Sequence, residues 1–156
     1  MKIFRGFHHP DVAPACALTI GNFDGVHRGH QAMLALLNNE AEHRGVQSCV
    51  LTFEPHPRVY FAGVHKRPDL APARIGTLRD KLSELARCGV QQTVVLPFNE
   101  RLACQSPQAF IEDVVVRAWA RATCWWATIS ASAPSARGTT PCWTPPAASV
   151  ASRWRA

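Results

Sequence analysis

Three short apolar runs alternate with three segments of helical spacing over the first 117 residues, and this alternation restricts the fold more than any other feature. Ala15–Ile20 (ACALTI) ends at Gly21 and reads as a buried strand. Gly29 to Arg44 carries Met33, Leu34, Leu36 and Leu37 at helical spacing and stops before Gly45. Val46–Phe53 (VQSCVLTF) is a second strand, halted by Pro55 and Pro57. Thr77–Cys88 predicts an amphipathic helix with Leu78, Leu82 and Leu85 on one face, closed by Gly89. Thr93–Leu96 is a third strand, after which Ser106 as N-cap and Pro107 in the first turn open a helix over Gln108–Val116. Strands separated by helices pair in parallel through right-handed crossovers, so the expected class is an α/β sheet.

At 156 residues and 47% hydrophobic content the chain can bury a core. No apolar run approaches the roughly 18 residues a bilayer crossing needs, and the start, MKIFRGFHHP, offers no secretory signal. The six cysteines (Cys16, Cys49, Cys88, Cys104, Cys124 and Cys142) are scattered without a C-x-x-C pair. That spacing fits reduced thiols in the cytoplasm and neither a disulfide scaffold nor a zinc ribbon. The seven histidines show no metal-ligand spacing, so no protein-held metal is expected. The net charge of +6 suggests nucleic acid until its placement is considered. Residues 118–156 hold four arginines and no acidic group; the first 117 residues hold 13 basic and 11 acidic groups, a net of +2. No basic stripe belongs to the folded part, and nucleic acid is not an expected partner.

Between the first strand and the first helix lies Gly21-Asn22-Phe23-Asp24-Gly25-Val26-His27-Arg28-Gly29-His30. A glycine-rich turn leaving the carboxyl end of a strand for a helix N-terminus presents backbone N–H groups and partial positive charge to an anion. Ligands of open α/β sheets bind in the crevice at that end. Two imidazoles three residues apart can converge on one phosphate, and Gly29 removes the side chain between them. The candidate site is therefore His27 and His30 for phosphate, with Gly21, Asn22, Phe23, Asp24 and Gly29 shaping the nucleotide site. Asp24 can equally be a turn former, and His56, between Pro55 and Pro57, can equally belong to a rigid loop without chemistry. The other four histidines, His8, His9, His43 and His65, lie outside any motif.

No G-x-x-x-x-G-K-[ST] loop occurs. The segment instead resembles the H-x-G-H signature of nucleotidyltransferases, whose fold is Rossmann-like. The longer string TIGNFDGVHRGHQ is similar to the opening of the adenylyltransferase module of prokaryotic bifunctional riboflavin kinase/FAD synthetases. Leu51-Thr52-Phe53-Glu54-Pro55-His56-Pro57 and Phe98–Val116 (FNERLACQSPQAFIEDVVV) agree with the same family, so the likeness covers roughly residues 15–117. It implies attack of the FMN phosphate on the α-phosphate of ATP, giving FAD and pyrophosphate. His27 and His30 would hold phosphate oxygens, Mg²⁺ would bridge phosphates, and Phe53, Pro55, His56 and Pro57 would line the substrate pocket. Alternatives are a nucleotide-binding remnant without catalysis and another H-x-G-H enzyme, such as a cytidylyltransferase or a pantetheine-phosphate adenylyltransferase. The TFEPHP and FIEDVVV matches disfavour the latter.

The family resemblance implies a following strand and loop like Y-V-L-V-G-x-D-F-R-F-G, a Ser/Thr-rich second phosphate segment with an Arg, and a β-barrel kinase domain. None is legible here. Residues 118–156 contain 11 Ala, 5 Ser, 5 Thr and 4 Pro, no Leu, Lys, Asp or Glu, and all five tryptophans. Reading the codons of Cys124-Trp125-Trp126-Ala127 one nucleotide earlier yields an obligatory Leu-Val-Gly, and Thr128 to Ala133 then permit Asp-Asp-Phe-Arg-Phe-Gly. A one-nucleotide frame change near Arg117–Ala118 accounts for the tail. Residues 1–117 are thus expected to be a partial adenylyltransferase domain and 118–156 an irregular, disordered appendage, with the kinase domain absent. The expected sheet has three strands and an unfilled apolar edge, a recipe for marginal stability and aggregation.

Overall fold

Strands and helices alternate as the apolar runs predict, in a computed structural model that describes residues 1–13, 15–110 and 125–126. In chain order they are β1 (Lys2–Arg5), β2 (Cys16–Ile20), α1 (Arg28–His43), β3 (Gln47–Glu54) and α2 (Pro57–Val64). A 3₁₀ turn (Pro68–Leu70), α3 (Leu78–Arg87), β4 (Gln92–Pro97), α4 (Glu100–Ala103), α5 (Pro107–Phe110) and β5 (Trp125–Trp126) follow. The sheet order is β1-β4-β3-β2-β5, with every pair parallel. Leu18 registers with Cys49, and Cys49 with Gln92.

Two strands were not foreseen. β1 is an edge strand of four residues of which only Phe4 is buried, too short and too exposed to show as an apolar run. β5 is a two-residue strand within the tail: Trp125–Trp126 pairs with Ala17–Leu18 along part of the free edge of β2. The sheet therefore has five strands where three were expected. The other 37 residues of the 118–156 segment, and the expected continuation of the last helix over 111–116, lie outside the described residues.

The pleat divides the core between two faces, because successive side chains of a strand point to opposite sides. Cys16, Leu18, Cys49, Leu51 and Phe53 pack on one face with Ala103 of α4 and Phe110 of α5, and with Tyr60 and Phe61 of α2 partly buried against them. Ala17 and Val50 pack on the other face with Leu34 and Leu37 of α1 and Leu85 of α3. Both faces are covered, as a parallel sheet requires.

Local chemistry closes the helices where the sequence indicated. α1 and α3 each end in a Schellman motif: Val46 N–H reaches Ala41 O (2.9 Å) after Gly45, and Val90 N–H reaches Leu85 O (3.2 Å) after Gly89. Thr77 and Asp80 form a capping box at the start of α3. Ser106 Oγ accepts the Ala109 N–H at 3.1 Å, the predicted cap at Pro107. These devices place the carboxyl ends of β2 and β3 side by side, with α1 starting at the mouth between them.

Candidate active site

The turn from β2 to α1 is backbone under strain. Phe23 (φ 49°), Gly25 (φ 76°) and Val26 (φ 30°) all take positive φ within four residues. For a β-branched residue such as Val26 this is a true outlier, and such residues gather where function over-determines the chain. Burial holds them: Phe23 and Val26 are buried in the core beneath the turn. The Phe23 ring therefore faces the protein interior, beneath the turn. A Cβ at Gly25 would come within 2.9 Å of Ile75, so the preceding loop packs directly on the turn.

His27 is the N-cap of α1, its Nδ1 accepting the His30 N–H at 3.3 Å. One of the helix's first donors is thus already satisfied, while His27 itself is exposed. The two rings stack, with centroids 3.7 Å apart and planes 19° from parallel. His30 also lies against Phe23, centroids 5.1 Å apart. Gly29 permits this: a Cβ there would sit 3.2 Å from His27 Cε1. Two polar atoms at this corner, Asn22 Oδ1 and His30 Nδ1, are buried without a hydrogen-bond partner among the described residues. Buried polar groups are normally paired, and unpaired ones at a cleft are places where a ligand can complete the network.

Burial first, and the neighbouring His27 second, push the His30 pKa below its ordinary value. The unfolded chain then takes up this proton at a higher pH than the fold does. The resulting stability is complete above the ordinary imidazole range and is lost as pH falls from it through the folded pKa. Thermal melts of the wild type should therefore fall more steeply between pH 7.5 and 5 than those of His30→Asn; parallel curves would contradict this. An anion held against the edge of the His30 ring reverses the sign, since it favours the protonated form.

Beside the turn, the end of β3 brings the other expected residues. Phe53 is buried in the aromatic core, 5.9 Å from Phe98 and 6.1 Å from Phe110 between centroids. Pro55 is exposed, His56 and Pro57 half-buried. His56 caps α2, its Nδ1 accepting the Arg58 N–H at 3.1 Å. Burial lowers its pKa, partly opposed by Asp24 and reinforced by Lys81, which places all three groups around one cleft. Asp24 Oδ2 accepts from Ile75 N–H at 3.5 Å, a long-range tie to the loop before α3, while the cap of α1 is His27, and the Asp24 charge reaches His56.

Two residues beside this turn, Arg74 and Lys81, had no place in the sequence reading. Arg74 pairs with Glu54 at 2.7 Å, joining the loop before α3 to the end of β3. Lys81 is buried on α3, and its Nζ donates to Thr52 Oγ1 at 3.5 Å. The signal for Lys81 was present: it lies three residues after Leu78 and four before Leu85, on the face that turns inward. Among the described residues no group of three or more His, Cys, Asp or Glu forms a metal site.

The FAD synthetase family matches residues 9–124, which contain the β2–α1 corner, the end of β3 and Lys81. The chain belongs to the FAD synthetase family. Among its curated relatives is a bifunctional riboflavin kinase/FMN adenylyltransferase of Escherichia coli K12, 46% identical over 119 residues. The aligned part is 75% of this chain and 36% of that protein. The namesake from Pseudomonas fluorescens is 43% identical over 118 residues, 74% of this chain and 36% of its own. The one from Bacillus subtilis is 37% identical over 100 residues, covering 64% and 30%. The chain thus spans about a third of the length of these relatives. A solved structure from Streptococcus pneumoniae, described as a macrolide-efflux protein, superposes with a TM-score of 0.62 at 25% identity over 78% of this chain and 39% of that one. The α/β nucleotidyltransferase-like architecture of the FAD synthetase family is therefore the architecture of this chain. Among the described residues no helix is long and apolar enough to cross a membrane.

Proposed function

We propose that this chain carries the ATP-gripping half of an FMN adenylyltransferase site, for the reaction ATP + FMN → FAD + pyrophosphate. The observation that carries the reading is the stacked His27–His30 pair at a helix N-terminus, beside two buried polar atoms without partners. A phosphate of FMN is anionic at neutral pH and needs no general base, so the protein's task is to orient phosphates and stabilise charge. His27 Nε2 remains available while Nδ1 caps the helix, and His30 is held beside it by Phe23. Donors fixed in place before the reaction cost no reorganisation as charge moves toward the departing pyrophosphate. Asn22, Gly21 and Gly29 let the nucleotide approach the backbone, and Pro55, His56 and Pro57 border the flavin side. A Mg²⁺ carried on the triphosphate would neutralise phosphate charge.

The scattered cysteines support a reducing, cytoplasmic setting, and Cys16, Cys49, Cys88 and Cys104 form no disulfide among the described residues. We expect slow turnover from this polypeptide. Residues 118–156 carry four arginines as their only charged groups and no counterpart to a second phosphate-binding segment. That same composition favours a second reading, a nucleotide-binding remnant that holds ATP or FMN without turnover. Incubation with ATP, FMN and Mg²⁺, following pyrophosphate release, separates the two when paired with an FMN fluorescence titration. Binding that prefers ATP over CTP, with little pyrophosphate, is the expected result. Absence of any ATP binding would remove the site, and turnover matching an intact relative would remove the impairment.

A further inference from the structure

Lys81 is 5% exposed, yet no carboxylate pairs with it among the described residues. The nearby Glu54 is taken by Arg74 at 2.7 Å, and Asp24 faces the Ile75 N–H. A buried ammonium without an ion pair costs several kcal/mol, so Lys81 is poorly explained by stability. Its hydrogen bond leads into a chain. Lys81 Nζ donates to Thr52 Oγ1 (3.5 Å), and Thr52 Oγ1 donates to the Asn22 carbonyl (3.3 Å). Thr52 is fully buried. Its hydroxyl, accepting from the ammonium, is polarised to donate more strongly to the carbonyl, since linked hydrogen bonds reinforce one another. The carbonyl so held belongs to the peptide that opens the strained turn, whose side-chain Oδ1 stays buried and unpaired.

We propose that Lys81 is a positioning residue: through Thr52 it fixes the Asn22 peptide, and with it the strained corner that presents His27 and His30. This rests on reading that corner as the polyphosphate site. Three elements converge here: α3 supplies the charge, β3 the hydroxyl, and the β2–α1 turn the acceptor. A positive φ at Phe23 and Val26 persists only if neighbouring contacts outweigh it, and this relay is one such contact.

The test uses amide hydrogen exchange of the whole chain, comparing wild type with Lys81→Met, Thr52→Val, Thr52→Ser and the Lys81→Met/Thr52→Val pair. Methionine removes a poorly compensated buried charge, so the melting temperature should stay level or rise. Exchange of the peptide covering residues 19–26 should nonetheless quicken at least tenfold in Lys81→Met and Thr52→Val. It should stay near wild type in Thr52→Ser, which keeps the hydroxyl, and rise no further in the double variant, because both changes break one chain. Unchanged exchange at the turn, additive effects, or acceleration spread equally over β3 and β4 would overturn the proposal. Saturating pyrophosphate reads the site separately, since it should slow exchange of the same peptide in the wild type. Should pyrophosphate fail there while the variants loosen the turn as stated, the relay stands and the polyphosphate reading falls.

Discussion

A version of the chain whose codons beyond position 117 are read one nucleotide earlier should make FAD at least about a hundredfold faster than the chain as it stands. The expected gain follows from what the shifted frame restores. Leu-Val-Gly in place of Trp125-Trp126-Ala127 is obligatory in that frame, and it returns an apolar strand sequence where β5 now pairs with β2 over two residues. By the family resemblance, a second wall for the cleft and a further set of phosphate donors would come with it. Removing one preorganised donor from a site of developing charge typically costs 10²–10³ in rate, so restoring several has at least that effect. Pyrophosphate release from ATP and FMN measures it directly, and equal rates in both versions would show that residues 118–156 already suffice. Sequencing the DNA around codon 117, with the mass of the native protein, checks the frame itself.

The second large effect concerns the two imidazoles. In the restored chain, His27→Ala and His30→Ala should each lower kcat about 10²–10³-fold with smaller changes in KM, the pattern of contacts that strengthen in the transition state. The double variant should fall short of the product of the two losses. The rings stack 3.7 Å apart and His27 Nδ1 holds the His30 N–H, so each single change already disturbs the other residue. His27→Asn supplies the contrast. It can keep the helix cap through its side-chain oxygen while losing the outward nitrogen, so it should retain stability and still lose rate. A variant series that changed KM alone would show uniform binding and no role in the chemical step.

Much of the scaffold was legible because its stops are chemical. Gly45 and Gly89 end helices through Schellman hydrogen bonds, and Ser106 with Pro107 starts one. The His56-Pro57 pair carries the same cap-and-proline signature at α2, yet it lies directly behind a strand and two prolines, so the segment read as a loop. β1 escaped because four edge residues with one buried side chain show no period. Within the candidate site, the order Gly21 to His30 suggested an anion corner, and the structure places those residues on the turn from β2 into the first part of α1. Side-chain direction was what spacing could not supply. Phe23 and Phe53 turn into the core, where burial of an aromatic ring outweighs exposure to a cleft. Lys81, Thr52 and Arg74 come from three separate segments, and only the packing of α3 against the sheet brings them to the turn.

The imidazole resonances of the ligand-free chain, followed by NMR while a non-hydrolysable Mg·ATP analogue is added, examine the phosphate corner most directly. His27 and His30 should shift together and saturate at one dissociation constant, and His30 should titrate at higher pH once the polyanion is bound. Shifts confined to other histidines, with these two unmoved at saturation, would contradict a polyphosphate held at the edges of the stacked rings.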